Sequence, residues 1–341
     1  MYVRNSFSIP ATETLSFTNY LNYPSKMQTP EVNIQEKAES PLDQGVLDLP
    51  TNQEPEKNKT FGSIVARTIT GVLYVVAIVL CIQHPMAFLI LFAALTGLCT
   101  WEFCTIVNIG LRINSNRFIT TIAAVYFFFA IFDFIAGLTG AGVGVFIPFV
   151  ITIMYLLISE LYMKGFRKIE NWAFSFMALF YIALPMSMLN MLAFIRVETG
   201  LAYVTVFTLS VFIFLWSSDT GAYVIGSKFG KHRLFPSISP KKSWEGSVGG
   251  GVVALIASQI VACFSHDLNA DSELLNRLLW AGLALVVVVF GTWGDLVESR
   301  LKRKLGVKDS GNILPGHGGW LDRLDSALMA IPAAVIYLYL I

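Results

Sequence analysis

Charged residues are scarce in this 341-residue chain. They make up 14% of the sequence, whereas hydrophobic residues make up 55%. Soluble domains usually carry about a quarter charged residues, so an ordinary soluble globular protein is a poor interpretation. The imbalance indicates a polytopic membrane protein.

Cysteine is also rare, and its positions exclude one class of site. The four cysteines lie inside apolar runs and show no metal-ligand spacing; they are Cys81, Cys99, Cys104 and Cys263. Small buried side chains explain them better than a thiolate metal centre. Nothing in the sequence points to a nucleic-acid partner, and we expect none.

Residues 1–60 lack the apolar pattern of the rest of the chain. They are rich in proline, glutamate, asparagine, threonine and serine. Such a segment cannot bury enough surface to offset its ordering entropy, so we predict a disordered polar tail. It has no apolar stretch of the kind found in secretory signals. Residues 61–341 are predicted to form one membrane-embedded domain.

Nine apolar segments of spanning length follow the tail, which predicts an all-α membrane protein with about nine transmembrane helices. Very short turns join the first segment to the second and the third to the fourth, and each pair should form a helical hairpin. The approximate limits are 64–83, 85–107, 118–139, 141–163, 172–195, 201–225, 246–265, 278–297 and 321–341.

Lysine and arginine residues in the loops predict the orientation. The loops after the even-numbered spans contain 15 of them, whereas the loops after the odd-numbered spans contain two, Arg196 and Arg277. The positive-inside rule then places the N-terminus in the cytoplasm and the C-terminus outside. This orientation brings Asp219, Asp295 and the acids at the start of the last span to a similar depth near the cytoplasmic surface.

The segment 299–325 is a polar region between two apolar segments. It contains a His-Gly-Gly turn that begins at His317 and two carboxylates three residues apart, Asp322 and Asp325. Six cations lie in the same segment: Arg300, Lys302, Arg303, Lys304, Lys308 and Arg323. Cations, glycines and paired acids at one membrane surface are typical of a site that handles phosphates.

The paired acids suggest a metal site. Asp322 and Asp325 should project from one face of the last helix, where two like charges repel unless a cation neutralises them. Together with Asp295 they would offer the hard oxygen ligands that suit Mg²⁺, which shares its remaining shell with phosphates and water. Neutralisation by Arg323 or by a neighbouring lysine is the alternative.

A second polar motif occupies residues 217–251. Asp219 is costly at membrane depth, and such acids are functional candidates. The loop that follows contains Lys228, Lys231, His232, Arg233, Lys241 and Lys242 and leads into small residues at the start of the seventh span. Cations beside a Gly/Ser-rich helix start make a plausible triphosphate site. The positive-inside rule alone would also explain any single lysine here.

These motifs resemble the phosphatidate cytidylyltransferase (CDP-diacylglycerol synthase) family. The resemblance rests on Ser299-Arg300-Leu301-Lys302-Arg303, Lys308-Asp309-Ser310-Gly311, Leu314-Pro315-Gly316-His317-Gly318-Gly319 and Asp322-Arg323-Leu324-Asp325. The upstream DTGAY, FGKH and SPKKSWEG strings add to it. One departure is Trp320, where the family usually has a smaller aliphatic residue.

The resemblance implies a function, cofactors and partners. It implies a membrane enzyme that condenses CTP with phosphatidic acid, giving CDP-diacylglycerol and pyrophosphate for phospholipid synthesis. It also implies Mg²⁺, a second, monovalent cation such as K⁺, and a homodimer. We expect the protein in a bacterial inner membrane, with its active site facing the cytoplasm.

The expected site residues follow from the motifs and the resemblance. Catalytic roles are expected for Asp295, Asp322, Asp325, Lys242 and Arg323, with the three aspartates as metal ligands. Substrate contacts are expected for Asp219, Ser239, Lys241, Lys242, Ser243, Ser299, Lys302, Arg303, Lys308, Asp309, His317, Gly318 and Gly319. Of the other intramembrane acids, Glu102 is the best functional candidate, although a structural role is favoured for it as for Asp133 and Glu160.

Two other functions compete with this interpretation. A CTP-dependent polyprenol or phytol kinase, or a cytidylyltransferase for another lipid phosphate, would use similar basic loops and acids. A transporter or channel is disfavoured, because the sequence shows no evident internal repeat and the acids gather toward one surface rather than the midplane.

Overall fold

The structure is a computed structural model that describes residues 57–162, 168–197, 200–265, 271–311 and 318–341, with side chains from residue 69 onward except at residue 168. The predicted polar tail falls almost entirely outside the described residues. Residues 57–60, which the sequence assigned to the tail, already belong to the first helix. The rest of the tail prediction stays a prediction.

Ten α-helices make up most of the described chain. They are α1 (Lys57–Ile82), α2 (Pro85–Leu111), α3 (Arg117–Ala136), α4 (Ile147–Tyr162), α5 (Lys168–Ala178), α6 (Leu184–Ala193), α7 (Thr205–Phe229), α8 (Trp244–Phe264), α9 (Glu273–Lys304) and α10 (Leu321–Leu340). A 3₁₀ turn (Gly142–Phe146) leads into α4, and a π-helical turn (Leu179–Ala183) joins α5 and α6 into one continuous helix.

The helices confirm an all-α polytopic membrane protein. Within the described residues, eight helical segments are long and apolar enough to cross a membrane, and α1 adds the shorter apolar stretch Ile69–Ile82. The predicted tight connection between the first two spans is also present, since only Gln83 and His84 separate α1 from α2. The core between the helices is rich in aromatic side chains, including Phe88, Phe92 and Trp280.

The predicted end of the eighth span was wrong. The eighth span was expected to end at residue 297, but α9 continues to Lys304. Residues 298–304 are mostly good helix formers, and the basic side chains in the last turn interact favourably with the helix dipole. Ser299, Lys302 and Arg303 therefore lie on a helix rather than in a loop.

Two short hairpins were not predicted. Strands β1 (Phe194–Val197) and β2 (Gly200–Tyr203) pair antiparallel, so residues 201–203 are not part of the sixth span, which begins as α7 at Thr205. Strands β3 (Arg233–Phe235) and β4 (Ser239–Ser243) also pair antiparallel. The second hairpin positions the basic string that precedes α8.

Glycines allow the helices that bear the acids to pack closely. A Cβ atom on Gly294 of α9 would lie 2.6 Å from the carbonyl oxygen of Asp325 in α10, and one on Gly250 of α8 would lie 2.5 Å from that of Ser218 in α7. Small residues at helix crossings permit such approaches in membranes. This packing brings the segments around Asp219, Asp295 and Asp325 together.

The orientation of the termini stays a prediction, and two exposed serines can test it. Ser237 precedes α8 and Ser272 follows it. Single cysteines at these positions, in a variant without other cysteines, should react with an impermeant maleimide from opposite sides of the membrane. We expect Ser237→Cys to react from the cytoplasmic side. Reaction of both from one side would contradict the nine-span topology.

Candidate active site

Three of the four acids expected in the site line a common cavity. A cavity of about 240 Å³ lies between α1, α7 and α10, and we call it the acid cavity. Its wall includes Asp219 from α7, Asp322 and Asp325 from α10, and the aromatic side chains of Tyr74 and Trp216. The prediction that these acids gather from distant parts of the chain agrees with this arrangement.

A second cavity beside it is lined by cations. It has a volume of about 480 Å³ between α7, the β3–β4 hairpin and α8, and we call it the basic cavity. Arg233, Lys241 and Lys242 line it together with small residues such as Ser243. Asp219 lines both cavities, so the acidic and basic walls meet at this residue.

An ion pair connects α9 to the basic cavity. Lys242 Nζ contacts Asp295 Oδ2, and both side chains are half-buried. The other oxygen, Asp295 Oδ1, accepts a hydrogen bond from Ser299 Oγ at 3.1 Å, one turn further along the helix. The pair places an expected metal ligand directly beside an expected phosphate-binding lysine.

Asp322 is held by three hydrogen bonds. Its Oδ1 accepts from Lys302 Nζ at 2.6 Å, and its Oδ2 accepts from the backbone N–H groups of Ser310 and Gly319, each at 2.8 Å. Lys302 also forms an ion pair with Glu298, whose side chain is 0% exposed. The nearby cation that the sequence left open as an alternative to a metal is therefore Lys302.

Asp325 and Asp219 accept fewer hydrogen bonds from the protein than Asp322 does. Asp325 Oδ1 accepts from the backbone N–H of Ser326 at 2.6 Å. Asp219 forms no hydrogen bond or ion pair with any residue that the structure describes. Their remaining oxygen lone pairs are open to the cavity, where a cation or a proton could compensate the charge.

The donor set fits a magnesium ion only in part. Within the described ranges, no three His, Cys, Asp or Glu side chains are placed so that they alone could hold a metal. Mg²⁺ commonly takes one or two carboxylates and completes its shell with substrate phosphates and water. Asp325 offers such oxygens, whereas those of Asp295 already contact Lys242 and Ser299, and those of Asp322 already accept three hydrogen bonds. Metal binding by all three stays a prediction.

Several other expected residues lie at the edge of the site. Ser243 Oγ accepts from Gly246 N at 3.2 Å and so caps α8. Gly318 has a φ of +80°, which favours glycine. Arg303, Lys308 and Asp309 are exposed and line neither cavity, Ser239 lies in β4, and His317 lies outside the described residues.

Sequence reasoning missed two residues of the site. Tyr74 lines the acid cavity, and its hydroxyl donates to the carbonyl of Arg323 at 3.2 Å. Glu298 is buried against Lys302. Nothing distinguishes Tyr74 in the sequence, but Glu298 was detectable, because an acid four residues before a lysine on a helix can pair with it.

Comparison with known proteins identifies relatives. The model of a family described as the cytidylyltransferase family matches residues 65–341. Proteins called phosphatidate cytidylyltransferase from Staphylococcus haemolyticus and Staphylococcus aureus (strain COL) are 48% and 46% identical over 139 residues, 41% of this chain and 50% of each relative. One from Haemophilus influenzae is 46% identical over 125 residues, 36% of this chain and 42% of its own length. The chain spans about half the length of the curated relatives it matches.

Proposed function

This chain belongs to the cytidylyltransferase family, and we propose that it transfers the cytidylyl group of CTP to phosphatidic acid. The products are CDP-diacylglycerol and pyrophosphate. The observation that carries the proposal is the adjacency of the two cavities at Asp219, with the Lys242–Asp295 pair beside them. Such a site can hold two phosphate-bearing substrates next to each other.

The reaction requires no covalent enzyme intermediate. A phosphate oxygen of phosphatidic acid attacks the α-phosphorus of CTP and forms a new P–O bond. At the same time, the bond between the α-phosphorus and the oxygen that bridges it to the β-phosphorus breaks. The electron pair leaves with pyrophosphate. Two anions must meet, so the protein contributes positioning and compensating charge rather than a nucleophile.

The basic cavity suits the triphosphate of CTP. Arg233, Lys241 and Lys242 supply positive charge, and the first turn of α8 presents backbone N–H groups beside them. The acid cavity lies on the other side of Asp219 and is partly lined by Tyr74 and Trp216. This cavity is the better candidate for the headgroup of the lipid.

We also propose Mg²⁺ at the acids, a second, monovalent cation such as K⁺, a homodimer, and a bacterial inner membrane with the site facing the cytoplasm. When bound, Mg²⁺ supplies charge neutralisation at the transferred phosphate. Of the three expected ligands, Asp325 accepts the fewest hydrogen bonds, whereas Asp295 is already paired with Lys242 and Ser299. The basic loops and the bacterial relatives support the location.

Labelled CTP separates this function from its main competitor. With cytidine-labelled CTP and phosphatidic acid, the purified protein should move label into the lipid phase in step with pyrophosphate release. In a CTP-dependent polyprenol or phytol kinase, the acceptor hydroxyl would attack the γ-phosphorus of CTP, and all label would stay in water-soluble CDP. The second outcome, with polyprenol or phytol as the acceptor, would reject the cytidylyltransferase assignment.

Lys242→Ala should weaken the use of CTP more than the use of phosphatidic acid. Loss of one charge-assisted hydrogen bond to a phosphate typically removes about 1.5–3 kcal/mol, which corresponds to a rise of about 10- to 150-fold in the KM for CTP. Steady-state kinetics with each substrate varied in turn measures the effect. Arg277→Ala is the control, because Arg277 pairs with Glu273 at the other end of α9. Equal effects on both substrates would contradict the assignment of the basic cavity.

A further inference from the structure

Glu102 reaches from α2 to the start of α10. Its side chain is 4% exposed, and its two carboxylate oxygens accept three hydrogen bonds. Oε1 accepts from the backbone N–H of Trp320 at 3.0 Å, and Oε2 accepts from that of Leu321 at 3.0 Å. Oε2 also accepts from Ser310 Oγ at 3.1 Å. A single buried carboxylate therefore joins segments that are more than 200 residues apart in sequence.

Two glycines of the polar segment leave room for this carboxylate. A Cβ atom on Gly311 would lie 3.0 Å from Glu102 Oε1, and one on Gly319 would collide with Glu102 Oε2 and with Ser310 Oγ. Any larger residue at position 319 would displace the carboxylate or the chain. The close approach of Glu102 thus explains why glycine is needed at these two positions, independently of the hydrogen bonds.

The contacts lie where a helix needs them. The first backbone N–H groups of a helix have no partner within it, and the N-terminus carries a partial positive charge. Glu102 satisfies the N–H groups of Trp320 and Leu321. Asp322, on the first turn of α10, binds those of Ser310 and Gly319. The two carboxylates together therefore hold Ser310 against residues 319–321 at the start of α10.

We propose that Glu102 is a positioning residue of the active site. By fixing the start of α10 against α2, it sets where Asp322 and Asp325 stand relative to Asp295 and Asp219. Its kinetic consequence rests on the proposed cytidylyl transfer, whereas the contact itself does not. Glu102 lines neither cavity, so it acts through α10 rather than by touching substrate.

A matched control distinguishes positioning from ordinary burial of a glutamate. Glu160 of α4 is also 4% exposed, and its Oε2 accepts from Asn171 Nδ2 at 2.9 Å. It bridges α4 to α5 and contributes to neither cavity. Glu102→Gln and Glu160→Gln make the same chemical change at the same burial, but only the first touches α10.

The experiment combines hydrogen exchange with kinetics on the full chain. In Glu102→Gln, amide exchange in peptides covering residues 318–324 should accelerate at least about tenfold. Its kcat should fall about 10- to 100-fold, since small misplacements of catalytic groups have effects of that size. The KM for CTP should stay within about twofold, because the basic cavity lies on other elements. Glu160→Gln should match the parent protein in all three measurements.

Several results would overturn the proposal. Unchanged amide exchange at 318–324 in Glu102→Gln would show that the contact does not hold the start of α10. Faster exchange with an unchanged kcat would show that the contact has no role in the active site. Equal losses of kcat in both variants would show a general effect of buried glutamates.

A second variant keeps the proposal testable if Glu102→Gln fails to fold. Ser310→Ala removes one hydrogen-bond donor to Glu102 and should give intermediate amide exchange and about a threefold lower kcat. Parental values in Ser310→Ala would also reject the proposal. If the parent lacks cytidylyl transfer, the exchange measurement still tests the contact while the function fails separately.

Discussion

Replacing Asp325 or Asp295 by asparagine should lower kcat by at least about 100-fold. The amide keeps the size of the side chain but removes the charge that would hold a cation beside two substrate phosphates. Loss of one preorganised electrostatic group commonly reduces turnover by about 10²–10³-fold. The measurement is pyrophosphate release at saturating CTP and phosphatidic acid over a range of Mg²⁺ concentrations. Asp322→Asn should also lose activity, because Asp322 binds Lys302 and two backbone N–H groups.

The control for these variants is Asp271→Asn. Asp271 is exposed and lies before α9, far along that helix from Asp295. Its replacement should leave both kcat and the Mg²⁺ requirement at parental values. Near-parental activity of Asp295→Asn and Asp325→Asn, with the same Mg²⁺ dependence, would reject the metal site. Membrane insertion of every variant is verified by the cysteine labelling described above.

Lys302→Met should produce the largest loss of stability. Lys302 is 8% exposed, and its ammonium group lies between Glu298 and Asp322, so the substitution leaves two buried carboxylates without their cation. Removing one partner of a buried ion pair typically destabilises a protein by about 3–5 kcal/mol. Denaturant unfolding in detergent or lipid micelles, followed by near-UV circular dichroism, measures the change in unfolding free energy.

Two further variants test the cause of that loss. Lys304→Met changes an exposed lysine in the same last turn of α9 and should alter stability by less than about 0.5 kcal/mol. The double variant Lys302→Met/Glu298→Gln removes one of the stranded charges and should recover part of the lost stability. A loss below about 1 kcal/mol in Lys302→Met would show that water reaches this pair and screens it.

Much of the fold could be predicted because a membrane imposes strong local rules. The length of an apolar run predicts the number of spans, and the part of the chain that the structure describes contains eight helices long and apolar enough to span, together with the shorter apolar stretch of α1. The motif around Asp322 and Asp325 also carried enough information to identify the family to which the chain belongs. These properties depend on residues close together in sequence, which is why they can be predicted without knowing how the helices pack.

The individual roles in the site depended on tertiary structure. The sequence grouped Lys302 with phosphate contacts, but helix packing places it between Glu298 and Asp322. The sequence made Glu102 the best functional candidate among three intramembrane acids, but only its contacts with Trp320 and Leu321 show which element it holds. The contact between Glu102 and Leu321 joins positions 219 residues apart. Such contacts depend on how helices rotate and cross, and the apolar pattern of a single span leaves that rotation open in a helix that is apolar on nearly every side.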